Sequence, residues 1–366
     1  MAGSLVDLFE RMAPAGASDL HLCAGSRPML RVRGELTQIA GPAFDADHVR
    51  NLVYSIATLE QQKTLEVERE LDFSYALGAS RFRVNVFYDR GNVAAVARLV
   101  PNTIPSLESL HMPEIVGELA LRQRGLVLVT GSTGSGKSTT LAAMIDKINE
   151  ERACHIVTIE DPIEFIHTAR RAFINQREVG ADTRSFARAL RSALRQDPDV
   201  ILVGELRDLE SIAIALTAAE TGHLVFATLH TRDAAGAIDR IIDVFPADQQ
   251  DQIRVQLASS LQAIVAQALL PTADGSGRRA AVELMLADDA VRNLIRQAKM
   301  QQVHNYLHTG SKNGMQTLEQ DLGRLVKDGI VTAAEAMKNA NDKQQLSRFI
   351  AGRGARTREL SSAPPN

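Results

Sequence analysis

Apolar residues change their spacing along the chain in a way that divides it. Leu5, Leu8, Phe9 and Met12 recur at helical intervals, and extended runs follow at residues 19–23 and 29–36. One helix is predicted over residues 46–65. Residues 71–77, 81–88 and 93–100 then read as strands, the last two joined by the turn-forming Asp89, Arg90, Gly91 and Asn92. Pro101 and Pro105 interrupt every pattern, because each removes a backbone donor and restricts the residue before it. This gives an N-terminal α+β domain over residues 1–100 and a linker over 101–112.

After Gly125 the texture changes. Short apolar runs at 126–130, 155–160, 200–204 and 224–229 are each followed by a polar or glycine-containing turn and a helix. That alternation predicts an α/β domain over 113–351 with a largely parallel sheet and ligands at the carboxyl ends of its strands. Beyond Pro246 the pattern reads as helical, broken by a flexible loop at 271–277. Residues 352–366 have almost nothing to bury and are expected to be disordered.

The candidate chemistry lies at the ends of those apolar runs. Gly131, Ser132, Thr133, Gly134, Ser135, Gly136, Lys137 and Ser138 satisfy the phosphate-binding loop pattern, between an apolar strand and the helical run that starts at Thr139. The glycines let backbone N–H groups wrap phosphates, Lys137 reaches the β and γ oxygens, and the Ser138 hydroxyl is placed to ligate Mg²⁺. Glu160, Asp161 and Glu164 crowd the end of the next strand, an arrangement that becomes favourable beside a cation or developing positive charge. Glu205 ends the run 200–204 and reads as a water-polarising acid, with Gly204 standing where most such enzymes have an aspartate. His230 closes the run 224–229 and reads as a γ-phosphate sensor. For His223, which opens it, sensor and structural readings stand level.

Two arginine arrangements are geometric. Strand alternation places Arg81 and Arg83 together on the face opposite Phe82, Val84 and Val86, where a guanidinium pair can bind phosphate. Arg184, Arg188, Arg191 and Arg195 form a stripe on a helix over 183–196, either a solvated face or one with a subunit-interface or phosphate-facing role.

The segments 133–139, 158–165, 175–179, 197–208 and 218–231 together resemble the secretion-ATPase superfamily, and most closely its PilT-like pilus-retraction branch, over residues 18–330. The resemblance implies a PAS-like N-terminal domain, a RecA-like P-loop ATPase domain with a helical C-terminal part, and assembly into a homohexamer. It implies ATP and Mg²⁺ as cofactors, held at residues 131–139. It also makes Glu160 to Glu164 an acidic box with Glu164 as general base, Glu205 an atypical Walker B acid, and His223 and His230 a histidine box. Arg81 and Arg83 would match arginines that reach the nucleotide. The implied partners are an inner-membrane pilus platform protein and a paralogous retraction ATPase. Residues 290–297 are similar to the branch's signature helix, with Val291 and Gln297 as departures. Its Arg292 and Arg296 are expected to project outward as coupling contacts.

Composition narrows the alternatives. Forty-one Lys and Arg against 44 Asp and Glu give a net charge of −3, and aromatics are 4 % of residues with no Trp. A nucleic-acid translocase would need a basic groove with interleaved aromatics, so no nucleic acid is expected. Two cysteines provide neither a disulfide framework nor the four-cysteine metal insertion usual in assembly and secretion members, and no apolar run reaches the roughly 20 residues that span a bilayer. A cytoplasmic protein working peripherally at the inner membrane is the expectation. An accessory retraction ATPase and a pilus-assembly or type II secretion ATPase are the alternatives.

Overall fold

Ser4 starts the first helix: its side chain accepts from the Asp7 N–H while the Asp7 carboxylate accepts from the Ser4 N–H, and α1 (Leu5–Met12) follows. The computed structural model describes residues 4–351 apart from Arg33, Ala79 and Asn102, so the tail predicted to be disordered lies outside the described residues. Two compact units are present. The first comprises the chain up to Thr103 with the segments 161–166 and 178–182, and the second comprises the remainder.

The first unit is one six-stranded antiparallel sheet with three helices. Its strands are β1 (Ala17–Leu22), β2 (Met29–Val32), β3 (Glu35–Gln38), β4 (Glu70–Leu77), β5 (Ser80–Asp89) and β6 (Asn92–Val100), in the order β3-β2-β1-β6-β5-β4. The single run predicted over 29–36 is a hairpin, turned at Gly34 with φ +89°. The single helix predicted over 46–65 is two, α2 (Ala46–Tyr54) and α3 (Leu59–Glu68), because Thr58 and Gln61 form a capping box that restarts the helix. Phe82, Val84 and Val86 enter the core as predicted, and Phe82 stacks on Phe9 with ring centroids 4.2 Å apart.

The second unit is a seven-stranded sheet covered by helices. It begins with α4 (Glu114–Ala120), β7 (Gly125–Thr130), α5 (Lys137–Glu151), β8 (His155–Glu160), β9 (Phe173–Glu178), α6 (Phe186–Ala193), β10 (Val200–Val203), α7 (Leu209–Glu220) and β11 (Leu224–Leu229). It continues through α8 (Ala234–Asp243), α9 (Ala247–Ser260), β12 (Leu261–Pro271), β13 (Arg278–Leu286), α10 (Asp289–Arg296), α11 (Val303–Thr309), α12 (Leu318–Lys327), α13 (Ala333–Asn339) and α14 (Lys343–Ala351). Strand order is β13-β12-β7-β11-β10-β8-β9, with the pairs β12/β7, β7/β11, β11/β10 and β10/β8 parallel and β12/β13 antiparallel. Thus the α/β class holds, while the all-helical reading beyond Pro246 does not. Residues 271–277 connect two long strands, and β12 is buried on both faces, so its Ala-rich sequence carries no alternation. Leu107 and Met112, in the stretch expected as linker, belong to the second unit's core with Val116, Leu141 and Ile145.

Phe82→Ala should cost the N-terminal unit about 3–5 kcal/mol, since it removes a fully buried ring and leaves Phe9 without its stacking partner. Hydrogen exchange of β5 and β6 in the full chain would read this as faster exchange there, with β7 and β11 unchanged.

Candidate functional site

Parallel register brings the strand ends together. Leu229 pairs with Thr130, so Gly131 and His230 leave the sheet side by side, and Val203 pairs with both Ala227 and Ile159, so Gly204 and Glu160 leave it at the same edge. His223 lies at the other edge. It precedes Leu224, which pairs with Gly125 at the start of β7, and its Nδ1 is 3.0 Å from the Ala218 carbonyl oxygen. Of its two readings, the structural one fits this position, and a nucleotide-contacting one does not.

The phosphate-binding loop joins β7 to α5. Gly131 has φ +144°, and a Cβ there would stand 2.4 Å from the Gln267 carbonyl oxygen and from Ser135 Oγ, so only glycine fits. Gly134 and Gly136 also have positive φ, at +80° and +91°. Lys137 opens α5 and is buried, its ammonium donating to the carbonyls of Gly131 at 2.8 Å and Ser132 at 3.1 Å. Ser132 and Thr133 are exposed, whereas Ser138 and Thr139 are half-buried in the first turn of α5, with N–H groups directed at the loop. The Ser135 hydroxyl is buried without a hydrogen-bond partner in the protein, which suits a loop built to enclose an anion's oxygens.

Glu205 is held from three sides. Gly204 N–H donates to the Ile159 carbonyl at 2.7 Å, the Thr228 hydroxyl donates to the Gly204 carbonyl, and Leu206 N–H donates to the Thr228 carbonyl at 3.1 Å. The Glu205 carboxylate accepts from Arg207 at 2.7 Å and stands 3.3 Å from His230 Nε2. Burial pushes its pKa up, but the Arg207 hydrogen bond and the His230 and Arg207 charges outweigh this and hold it below the ordinary value. Gly204 sits in a tight position: a Cβ there would lie 3.3 Å from Glu160 Cα and from the Ile159 carbonyl oxygen. Glu160 accepts from the Thr158 hydroxyl at 2.7 Å and from Gln176 Nε2 at 3.3 Å, and Gln176 also accepts from His167 N–H at 2.8 Å.

Glu160 and Glu164, read together as one acidic box, fall in different units: Glu160 closes β8 in the second, and Glu164 lies in the segment 161–166 of the first. Arg81 and Arg83 share the exposed side of β5 but not a partner. Arg81 pairs with the buried Glu178 at 3.1 Å, and Glu178 also accepts from Ile163 N–H at 3.0 Å, while Arg83 lies 3.8 Å from Asp72. All four arginines of the stripe are exposed, although only Arg188 and Arg191 lie within α6, and Arg191 pairs with Glu210. The outward position expected of Arg292 is not found: its guanidinium donates to the carbonyls of Ala258 and, at 3.0 Å, Ser259, so it caps the end of α9. Arg296 is exposed as expected.

Thr228, Arg207, Gln176 and Gln267 escape sequence reasoning. Gln267 is buried in β12 and donates to the Thr140 hydroxyl at 3.0 Å. A glutamine inside an apolar strand was the available signal. Among the described residues no cluster of three or more His, Cys, Asp or Glu could hold a metal, and no helix is long and apolar enough to cross a membrane.

Residues 5–276 match the family model described as type II/IV secretion system protein. The twitching motility protein of Neisseria gonorrhoeae is 52 % identical over 321 residues, covering 87 % of this chain and 86 % of that one. The type IV pilus retraction ATPase PilT of Pseudomonas aeruginosa is 49 % identical, covering 92 % of this chain and 98 % of that one. The crystal structure of the pilus retraction motor PilT with bound ADP superposes with a TM-score of 0.88 at 47 % identity, covering 94 % of this chain and 99 % of that one.

Gly204→Ala should destabilise the second unit by about 1–3 kcal/mol by forcing β10 from β8, measured as a lower urea midpoint. His167 gives a pH test. Burial drives its imidazole down to about 4, against the opposing Asp146 charge, so the unfolded chain binds a proton that the folded one refuses. Stability should therefore fall by about 3 kcal/mol as pH drops from about 6.5 to about 4, and His167→Gln should flatten that slope.

Proposed function

This chain belongs to the type II/IV secretion system protein family, and on that footing we propose that it is an ATP-hydrolysing motor that drives retraction of a type IV pilus. The observation that carries the reading is the meeting at one sheet edge of the buried Lys137 ammonium, the ionised Glu205 and His230. Identity near one half to a twitching motility protein and a pilus retraction ATPase, across nearly the whole chain, supports the direction of the work.

The loop residues fit ATP. N–H groups of residues 132–139 surround the phosphates, and Lys137 exchanges the carbonyls of Gly131 and Ser132 for β and γ oxygens. Mg²⁺, when bound with the nucleotide, neutralises phosphate charge. The Ser138 hydroxyl would be the side chain that holds it. Glu205, kept ionised by Arg207 and His230, orients the attacking water for in-line displacement, and His230 reports the γ-phosphate. Glu164 is assigned as a second carboxylate for that water, and Arg81 and Arg83 as arginines for the phosphates. The working form is a homohexamer beneath an inner-membrane platform protein.

Lys137→Ala should reduce hydrolysis on the order of a hundredfold or more. Glu205→Gln should keep nucleotide affinity within a small factor while lowering kcat. Wild-type turnover in either variant, with contaminating ATPases excluded, would remove the assigned residue from the site. A deletion strain should keep surface pili and lose retraction-dependent movement. A strain without assembled pili would instead indicate an assembly motor.

A further inference from the structure

Glu283 stands apart from every motif in the chain. It lies in β13, is 2 % exposed, and carries a carboxylate within the strand's apolar stretch, residues 280–286. Oε1 accepts from Ala234 N–H at 2.8 Å, the first residue of α8, and the backbone of Leu318, the first residue of α12, also hydrogen-bonds the carboxylate. One side chain therefore joins the first turns of two helices far apart in sequence.

Both helices are otherwise well secured. Asp233 caps α8 through the Gly236 N–H at 2.7 Å, and Thr317 and Gln320 form a capping box on α12. Neither end needs Glu283 for want of a cap. What Glu283 adds is a link between them, and the two ends differ in what they carry. The segment before α8 is His230, Thr231, Arg232 and Asp233, which leaves β11 beside Gly131 with His230 against Glu205. The segment before α12 is stitched to β13: Leu284 and Gln316 exchange backbone hydrogen bonds at 2.9 and 3.0 Å, and Gln316 Nε2 donates to the Val282 carbonyl at 2.8 Å. Val282 N–H in turn donates to the Asp321 carboxylate of α12 at 2.9 Å. α12 is thus tied to β13, and Glu283 is where β13 holds the start of α8, just after the histidine segment.

We propose that Glu283 is a positioning residue for hydrolysis, holding the His230 to Asp233 segment against β13 and coupling it to α12. The assignment rests on the function proposed above, since it is that reading which makes His230 part of the chemistry. An unlinked buried carboxylate would be strongly unfavourable, and a strand apolar throughout would have served the core alone. The groups facing Glu283 are Asp233 from the α8 side and Glu319 from α12, both acidic, alongside the two donating N–H groups. Burial first, and then those two charges, raise its pKa to about 7 against the pull of the N–H groups. Ionised, the carboxylate accepts from both helices. Protonated, one oxygen carries a hydrogen and the grip weakens, so positioning is best above neutrality.

The test uses the full chain and two variants, Glu283→Gln and Glu283→Ala, read by hydrogen exchange at fixed pH and by steady-state ATPase kinetics. Glu283→Gln keeps the volume and one acceptor, which separates loss of the grip from loss of the fold. Exchange should quicken at residues 231–236 and 317–320 in both variants while β7 and α5 stay protected. The kcat should fall about tenfold to a hundredfold with KM within about twofold, as for a group displaced from the reacting atoms. The wild-type loss of kcat between about pH 8 and pH 6 should be reduced in Glu283→Gln. Unchanged exchange at either segment in a folded variant, or an unchanged kcat, would overturn the proposal. If wild-type protein hydrolysed no ATP, the function proposed above would fall with the hydrolytic half of this one, and the exchange result would still decide whether Glu283 links the two helices.

Discussion

Parallel pairing among β7, β11, β10 and β8 is the constraint on which the site depends. Parallel strands all point their carboxyl ends one way, so residues scattered over a hundred positions emerge at one edge without any loop having to reach for them. The pairing also restricts what may stand at that edge. β10 runs close enough to β8 that a Cβ at position 204 would make tight contacts, and the acid at position 205 receives its support from Thr228, Arg207 and His230.

The legible parts of the fold were those whose sequence obeys a period or fills a fixed pattern. β4 and β5 alternate because one face of the antiparallel sheet is buried, and β7, β8, β10 and β11 are short continuous apolar runs because both faces are covered. The phosphate-binding loop is legible because Gly131, Gly134 and Gly136 take backbone conformations that a side chain would oppose. β12 and β13 were hidden because a run such as Ala263 to Gln267, buried throughout, has no alternation and is rich in alanine. The break in the 46–65 helix lay in Thr58 and Gln61, a capping box embedded in a helical pattern that seemed to continue.

The site was legible by residue type and less so by partner. His230 and His223 bracket the same apolar run, yet strand direction alone sends one to the phosphate end and the other to the opposite edge. Arg292 was placed outward by helical spacing, which cannot know that the carbonyls ending α9 lie within reach. Supporting groups such as Thr228 and Gln176 have no sequence signature, because their value is a hydrogen bond to a residue on another strand or to a loop carbonyl.

The Arg292 bond has a consequence for continuity. α9 runs without interruption into β12, and β12 lies parallel to β7, the strand that carries the phosphate-binding loop. Arg292 ties α10 to the end of α9, and β12 is hydrogen-bonded to β7, so the helix that resembles the retraction signature and the strand carrying the phosphate-binding loop belong to one continuous bonded array.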